Sequence, residues 1–145
     1  MENLEKEFVV YPLAYRMKKL DFDKGCMAFY KLDDDEIYYD SIIQTKNHKF
    51  RNNTELNFYG DLIEKISAPT WQSAFDWFRE KYNCHSHPTK YDETKWWVGY
   101  GTWTSPVFDS FYEAQMCWLE RIIELAEMVE LAKVVEQASN ELNKK

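Results

Sequence analysis

The fold is decided by residues 68–112, which read APTWQSAFDWFREKYNCHSHPTKYDETKWWVGYGTWTSPVFDSFY. Thr70 is a suitable N-cap, because its hydroxyl oxygen can accept a hydrogen bond from an unpaired N–H in the first turn of a helix. Apolar side chains then recur on one helical stripe: Trp71, Ala74, Phe75, Phe78 and Tyr82. Trp77 lies off this stripe. The pattern predicts a helix over residues 71–82.

The second part of the same stretch predicts two strands and the start of another helix. Residues 96–103 are rich in aromatic residues and residues 107–109 are short and apolar, and a Thr-Ser-Pro turn separates the two runs. Ser110 and Glu113 then form a capping box, in which each residue satisfies a backbone N–H at a helix start.

The helix that begins after Ser110 is unusually long. No Gly or Pro interrupts the chain beyond that point, so the helix could reach about 30 residues, or about 45 Å. A compact domain of this size is only about 35 Å across. We therefore expect residues 128–145 to overhang, to fray or to pack on a partner. Leu131, Val135 and Leu142 are the candidate contacts, and a homo-oligomer is one form that this packing could take.

The N-terminal half predicts mainly strands. Residues 7–11 favour a short strand, and Pro12 favours the start of a helix because its missing N–H would be unpaired there. Residues 26–32 and 37–43 predict a hairpin around the acidic turn at 33–36. Two further segments are less regular: residues 45–55 are polar and predict a loop, and residues 56–66 fit either a short helix or an extended segment.

Together these elements predict an α+β fold in the order βα-ββ-α-ββ-α. We expect a single domain over residues 1–145, with a four- to five-stranded, mainly antiparallel sheet packed by two main helices. A chain of 145 residues is long enough to bury a core without disulfides or metals.

Composition excludes several classes of protein. The net charge of −7 disfavours generic nucleic-acid binding, which needs a basic surface. The three cysteines are widely spaced and indicate no disulfide framework. The N-terminal residues lack the basic and apolar regions of a signal peptide, and no apolar run approaches the ~18 residues that span a bilayer. We therefore expect a cytoplasmic protein that binds no membrane and no cofactor.

Several segments carry a family resemblance: residues 11–22, residues 26–30, APTWQ at 68–72, DWFREKY at 76–82 and SFYEA at 110–114. In these segments the chain resembles a group of uncharacterised small proteins encoded by bacteriophages and mobile elements of gut bacteria. Those proteins typically have glycine where this chain has Asp21, so the turn after the first helix is expected to differ. The resemblance implies no activity, because the group has no assigned function, but it suggests a phage or mobile-element accessory protein.

The most site-like string is Cys84-His85-Ser86-His87. Cysteine and histidine are good zinc ligands, but a structural zinc site needs four of them. In an extended segment only His85 and His87 would share a face. Residues elsewhere would have to complete the set, and the sequence singles out none of the possibilities: Cys26, His48, Asp92 and Cys117. A polar connection after a helix is the other interpretation. The acidic run at 33–36 lacks the ligand spacing of a calcium loop and is expected to be a solvated turn.

The aromatic run at 96–103 offers a second candidate. In a continuous strand, Trp97 and Trp103 would share one face with two glycines between them. That face would form a flat recess for a planar ligand or for a protein. The alternative is that helices cover both rings as part of the core.

No catalytic motif is present: the sequence has no glycine-rich phosphate loop, no nucleophile elbow and no His-Glu-x-x-His. The function that we expect is therefore non-enzymatic, namely an accessory protein that binds a host or phage protein. One alternative is a small-molecule binder, such as a sponge for a nucleotide signal used in host defence. A metal-dependent enzyme is the second alternative.

Overall fold

The computed structural model describes residues 4–39, 54–56 and 62–144. It divides the chain into two compact units, Met1–Asn83 and Cys84–Lys145. Each unit is described by itself below, and the prediction of one domain over residues 1–145 stays a prediction.

The N-terminal unit combines two helices with an antiparallel sheet. Its elements are a 3₁₀ turn (Leu4–Glu7), α1 (Tyr11–Lys19), β1 (Ala28–Lys31), β2 (Asp34–Tyr39), β3 (Thr54–Leu56), β4 (Leu62–Ala68) and α2 (Trp71–Tyr82). The strands lie in the order β2-β1-β4-β3 and every neighbouring pair is antiparallel. Helix α1 packs on β4. The buried Tyr30 hydroxyl of β1 donates a hydrogen bond of 2.7 Å to the Val9 carbonyl, which ties the sheet to the chain before α1.

Helix α1 begins and ends where its sequence favours it. Pro12 lies in the first turn, and Leu13, Ala14 and Met17 form the buried side. The turn after the helix places Asp21 in the left-handed region, with φ of 65°. Aspartate is among the few residues other than glycine that visit this region routinely, so the turn can form at this position.

Helix α2 confirms the prediction for residues 71–82. The Thr70 side chain accepts a hydrogen bond of 3.2 Å from the Ser73 amide, as expected of an N-cap. Trp77 is buried although it lies off the predicted stripe. Its indole N–H donates to Asp23 at 3.0 Å, and its ring meets Phe22 edge to face at 5.3 Å. A tertiary hydrogen bond therefore brings this side chain into the core.

The C-terminal unit contains very short strands and one long helix. Its elements are β5 (Thr89–Lys90), β6 (Trp96–Trp97), β7 (Gly99–Tyr100), β8 (Trp103–Thr104) and α3 (Phe111–Asn143). Strand β5 pairs with β6 and β7 pairs with β8, both antiparallel. The Ser110 side chain caps α3 by accepting a hydrogen bond of 3.1 Å from the Glu113 amide, which matches the predicted capping box.

The α+β class, the antiparallel pairing and the long C-terminal helix are confirmed, but the prediction of one sheet for all the strands is wrong, because the strands are divided among separate small sheets. The strands after Cys84 pair only with each other, in two ribbons of two residues per strand. In the N-terminal unit, β3 meets β4 over three residue pairs. Strands of two or three residues form only small pieces of sheet.

Two other strand predictions are wrong, and in a third segment the extended alternative holds for residues 62–66. Residues 7–11 form no strand, because the 3₁₀ turn ends there and α1 begins, with one isolated bridge between Phe8 and Thr70. Residues 107–109 contribute only an isolated bridge from Phe108 to Trp96. The ambiguous segment at 56–66 contains the start of β4 at Leu62. Residues 40–53, which include most of the predicted loop and the end of the predicted hairpin, lie outside the described residues.

Candidate functional site

Helix α3 spans 33 residues, or about 50 Å at 1.5 Å per residue. Its first half is part of the hydrophobic core. The buried side chains of this half are Ala114, Gln115, Trp118, Leu119, Ile122, Ile123 and Ala126. No side chain after Ala126 is buried up to residue 144. The second half is therefore helical although none of its side chains is buried in a core.

The second half of α3 exposes an apolar row that we name the α3 seam. Its members are Met128, Leu131, Val135, Ala138 and Leu142. The four large side chains are 60 to 71% exposed. They recur at spacings of three and four residues, so they share one side of the helix. Isolated exposed apolar residues are ordinary, but a contiguous row of this kind is typical of a protein contact surface.

Most charged side chains on this half of the helix lie on its outer side, and Glu141 flanks the α3 seam. Lys133 donates a hydrogen bond of 3.3 Å to the Glu130 carboxylate one turn earlier. A surface ion pair of this kind contributes little to the free energy of folding. The position of these charged groups matters more than their energy. They keep the outer side of the helix in contact with water, and the members of the seam itself are all apolar.

Trp97 and Trp103 do not share one face of one strand, so the predicted recess with two glycines between the rings is wrong. The chain reverses between them, since Gly99 pairs with Thr104 and Tyr100 pairs with Trp103. Trp97 instead belongs to the ribbon of β5 and β6, where its ring meets Tyr91 edge to face at 6.1 Å. Both tryptophans are half-buried, and their role as binding residues stays a prediction.

Trp103 is engaged by side chains of α3. Its ring stacks on Trp118 at 6.0 Å with 29° between the planes, and the Arg121 guanidinium lies over it at 5.5 Å. Tyr100 also packs against Trp118, at 5.4 Å. These contacts give Trp103 a structural role in anchoring the β7–β8 hairpin to the helix.

Alanine substitutions at the two glycines of the β7–β8 hairpin test the geometry of its turn. Gly101 has φ of +61°, whereas Gly99 lies in β7, and at both positions an added Cβ would meet no atom within 4 Å. Gly101→Ala is therefore expected to cost about 1 kcal/mol of unfolding free energy through backbone strain alone. Gly99→Ala is expected to be neutral or slightly stabilising, because it removes freedom from the unfolded chain. Urea denaturation of both variants measures the difference, and equal losses would contradict the left-handed turn.

Cys84, His85 and His87 are not brought into a metal-binding cluster. Cys84 is buried, whereas His85 and His87 are exposed. Burial raises the pKa of the Cys84 thiol, and a hydrogen bond with Tyr100 offsets part of this. Burial therefore disfavours the thiolate form of Cys84. Within the described ranges, no group of three or more His, Cys, Asp or Glu residues is arranged to hold a metal ion.

The prediction of a turn over residues 33–36 is wrong, because β2 already begins at Asp34 and the turn lies at residues 32–33. Local hydrogen bonds occupy the first carboxylate of this strand. Asp34 accepts from the Glu36 amide at 3.0 Å and from the Tyr38 hydroxyl at 2.8 Å. These bonds lower the pKa of Asp34, with the amide as the largest cause, and the bond to Asp34 raises the pKa of Tyr38. The carboxylate therefore stabilises the beginning of β2.

Sequence reasoning missed two members of the exposed surface on α3. Met128 is 62% exposed and Val134 is 63% exposed. Met128 lies three residues before Leu131, so the helical spacing could have predicted that it belongs to the same row. Val134 lies beside the seam and does not follow this spacing, so only its exposure in the structure shows that it belongs to the surface.

Comparison with known proteins adds no assignment: no protein-family model, no curated protein and no solved structure matches this chain. Among the helices in the described part of the chain, none is both long enough and apolar enough to cross a bilayer.

Proposed function

We propose that this chain is a non-enzymatic binding protein that acts through protein–protein interaction, with the α3 seam as its contact surface. The observation that carries the proposal is the exposure of large apolar side chains over the second half of a capped, uninterrupted helix. Exposed apolar area of this kind is stabilised when another protein covers it.

The exposed half of α3 also fits a known mode of recognition. An amphipathic helix binds a partner through anchors at i, i+3, i+4 and i+7. Leu131, Val134, Val135 and Ala138 follow this spacing. Because the helix is already formed, binding would cost little of the ordering entropy that a disordered segment must lose.

The biological setting of the proposal comes from the resemblance alone. It suggests a phage or mobile-element accessory protein that binds a host or phage protein in the bacterial cytoplasm. A nucleotide-binding role has weaker support, because the rings of Trp97 and Trp103 already contact Tyr91, Trp118 and Arg121.

The proposal is tested by truncation after Glu127. The full chain and the truncated chain are immobilised at equal density and used to capture proteins from a cell lysate. We expect proteins held by the full chain to be lost from the truncated bait, because the seam is removed. A chain that ends at Asn143 keeps the seam and serves as the control. Identical capture by all three baits would show that residues 128–143 make no contact.

A further inference from the structure

We infer that the occupant of the α3 seam is a second copy of the same chain, paired with the first in antiparallel orientation. The inference rests on the proposed function, because it names the partner of the same surface. Three properties of the exposed half of α3 support it: the spacing of the seam, the position of the charges, and the order of large and small side chains.

The spacing of the seam fits another helix with the same repeat. From Met128 to Leu142 the apolar positions alternate by three and four residues, which is the a and d pattern of a coiled coil. A seam with this period is matched by a partner helix of the same period, and a second copy supplies one.

The charges permit self-association. The residues that flank the seam are Glu127, Ala132, Val134, Ser139 and Glu141. Two of these are charged, both negative, whereas the charged residues Glu130, Lys133, Glu136 and Lys144 occupy outer positions. Two copies present identical charges to each other, so flanking charges of one sign repel each other wherever they meet. In the antiparallel pair Val134 lies beside Glu141 of the second copy, and no like charges meet.

The order of large and small side chains selects the antiparallel orientation. Two antiparallel registers pack a positions against d positions, and the one that pairs Leu131 with Val135 would place Glu127 beside Glu141 of the second copy. In the register that avoids this repulsion, Leu131 faces Leu142 of the second copy, and Val135 faces Ala138. Each layer occurs twice, so a large side chain is always available to fill the space beside the small one. A parallel pair would instead place Ala138 against Ala138 and leave a poorly filled layer, which costs stability.

The size of the contact predicts how strong the pairing is. In this antiparallel register the paired layers cover residues 131–142, or about 18 Å of helix. Coiled coils are usually sustained over at least three to four heptads. The paired part of the seam covers fewer than two heptads, so the pairing is expected to be reversible and dependent on concentration.

Cysteine cross-linking tests the pairing and its orientation. Val135→Cys and Ala138→Cys are prepared as separate, differently tagged chains in a Cys117→Ser background, and circular dichroism checks that each is folded. A disulfide forms only when the two Cα atoms approach to about 4.4–6.8 Å. We expect the mixture of the two chains to give at least ten times more cross-linked dimer than either chain alone.

Each other outcome overturns the inference in a distinct way. Efficient cross-linking of the Val135→Cys chain with itself would show a parallel pair. If the mixture gives no more product than the Cys117→Ser background at any concentration, the second copy is excluded. In that case the proposed function still stands if truncation after Glu127 abolishes capture of another protein, and it fails too if capture is unchanged.

Discussion

Replacing Trp118 with alanine is expected to lower the free energy of unfolding by about 3–5 kcal/mol, which is typical of truncating a buried tryptophan. Trp118 is 1% exposed, and its ring contacts both Tyr100 and Trp103. Its indole N–H also donates a hydrogen bond of 3.0 Å to the Ser86 carbonyl. The variant therefore loses two ring contacts and leaves a carbonyl without its donor.

Thermal denaturation followed by circular dichroism measures this effect. At about 2–4 °C per kcal/mol for a chain of this size, the midpoint is expected to fall by roughly 10–15 °C. Trp118→Phe is the matched control, because it keeps most of the apolar volume and removes only the N–H donor. Its loss should be much smaller, about 1–2 kcal/mol. A midpoint for Trp118→Ala within 2 °C of the unmodified chain would show that Trp118 does not organise the C-terminal unit.

The second large effect is expected for Leu131→Glu combined with Val135→Glu. Both side chains are at least 60% exposed, and glutamate is a good helix former, so the midpoint of thermal unfolding measured at low concentration should barely change. Association should weaken by at least about 100-fold, because pairing would bury carboxylates in an apolar contact. Sedimentation equilibrium over a range of concentrations measures both chains directly.

The control for this variant has the same change in net charge. Gln137→Glu combined with Asn140→Glu adds two carboxylates to the same helix at exposed positions outside the seam. This control should associate as the unmodified chain does. If both double variants weaken association equally, the effect comes from net charge and the seam has no specific role.

Helices were predictable from this sequence where the signals are local. Thr70 and Ser110 were assigned as caps from residue type and spacing, and both accept the expected hydrogen bonds. The length of α3 followed from the absence of glycine and proline. From that length the exposure of Leu131, Val135 and Leu142 could be anticipated, because the helix is longer than a compact domain.

Strands were predicted less well because pairing is decided at long range. The aromatic run at 96–103 has high β-propensity throughout, yet a left-handed turn at Gly101 closes β7 on β8. Residues 7–11 also favour a strand by composition, but only Phe8 finds a bridge partner, in Thr70. The prediction that Trp97 and Trp103 share one face failed for the same reason. It required a continuous strand from one residue to the other.

The central claim is that a second copy of the same chain covers the α3 seam, as we infer above. Hydrogen exchange of the amides from Met128 to Leu142, measured at increasing concentration of the full chain, tests it most directly. An exposed helical half with no core opens readily, so its amides should exchange fast in dilute solution. We predict that protection of this segment rises with concentration while protection of residues 114–126 stays constant. Exchange of residues 128–142 that stays equally fast at every concentration would contradict the claim.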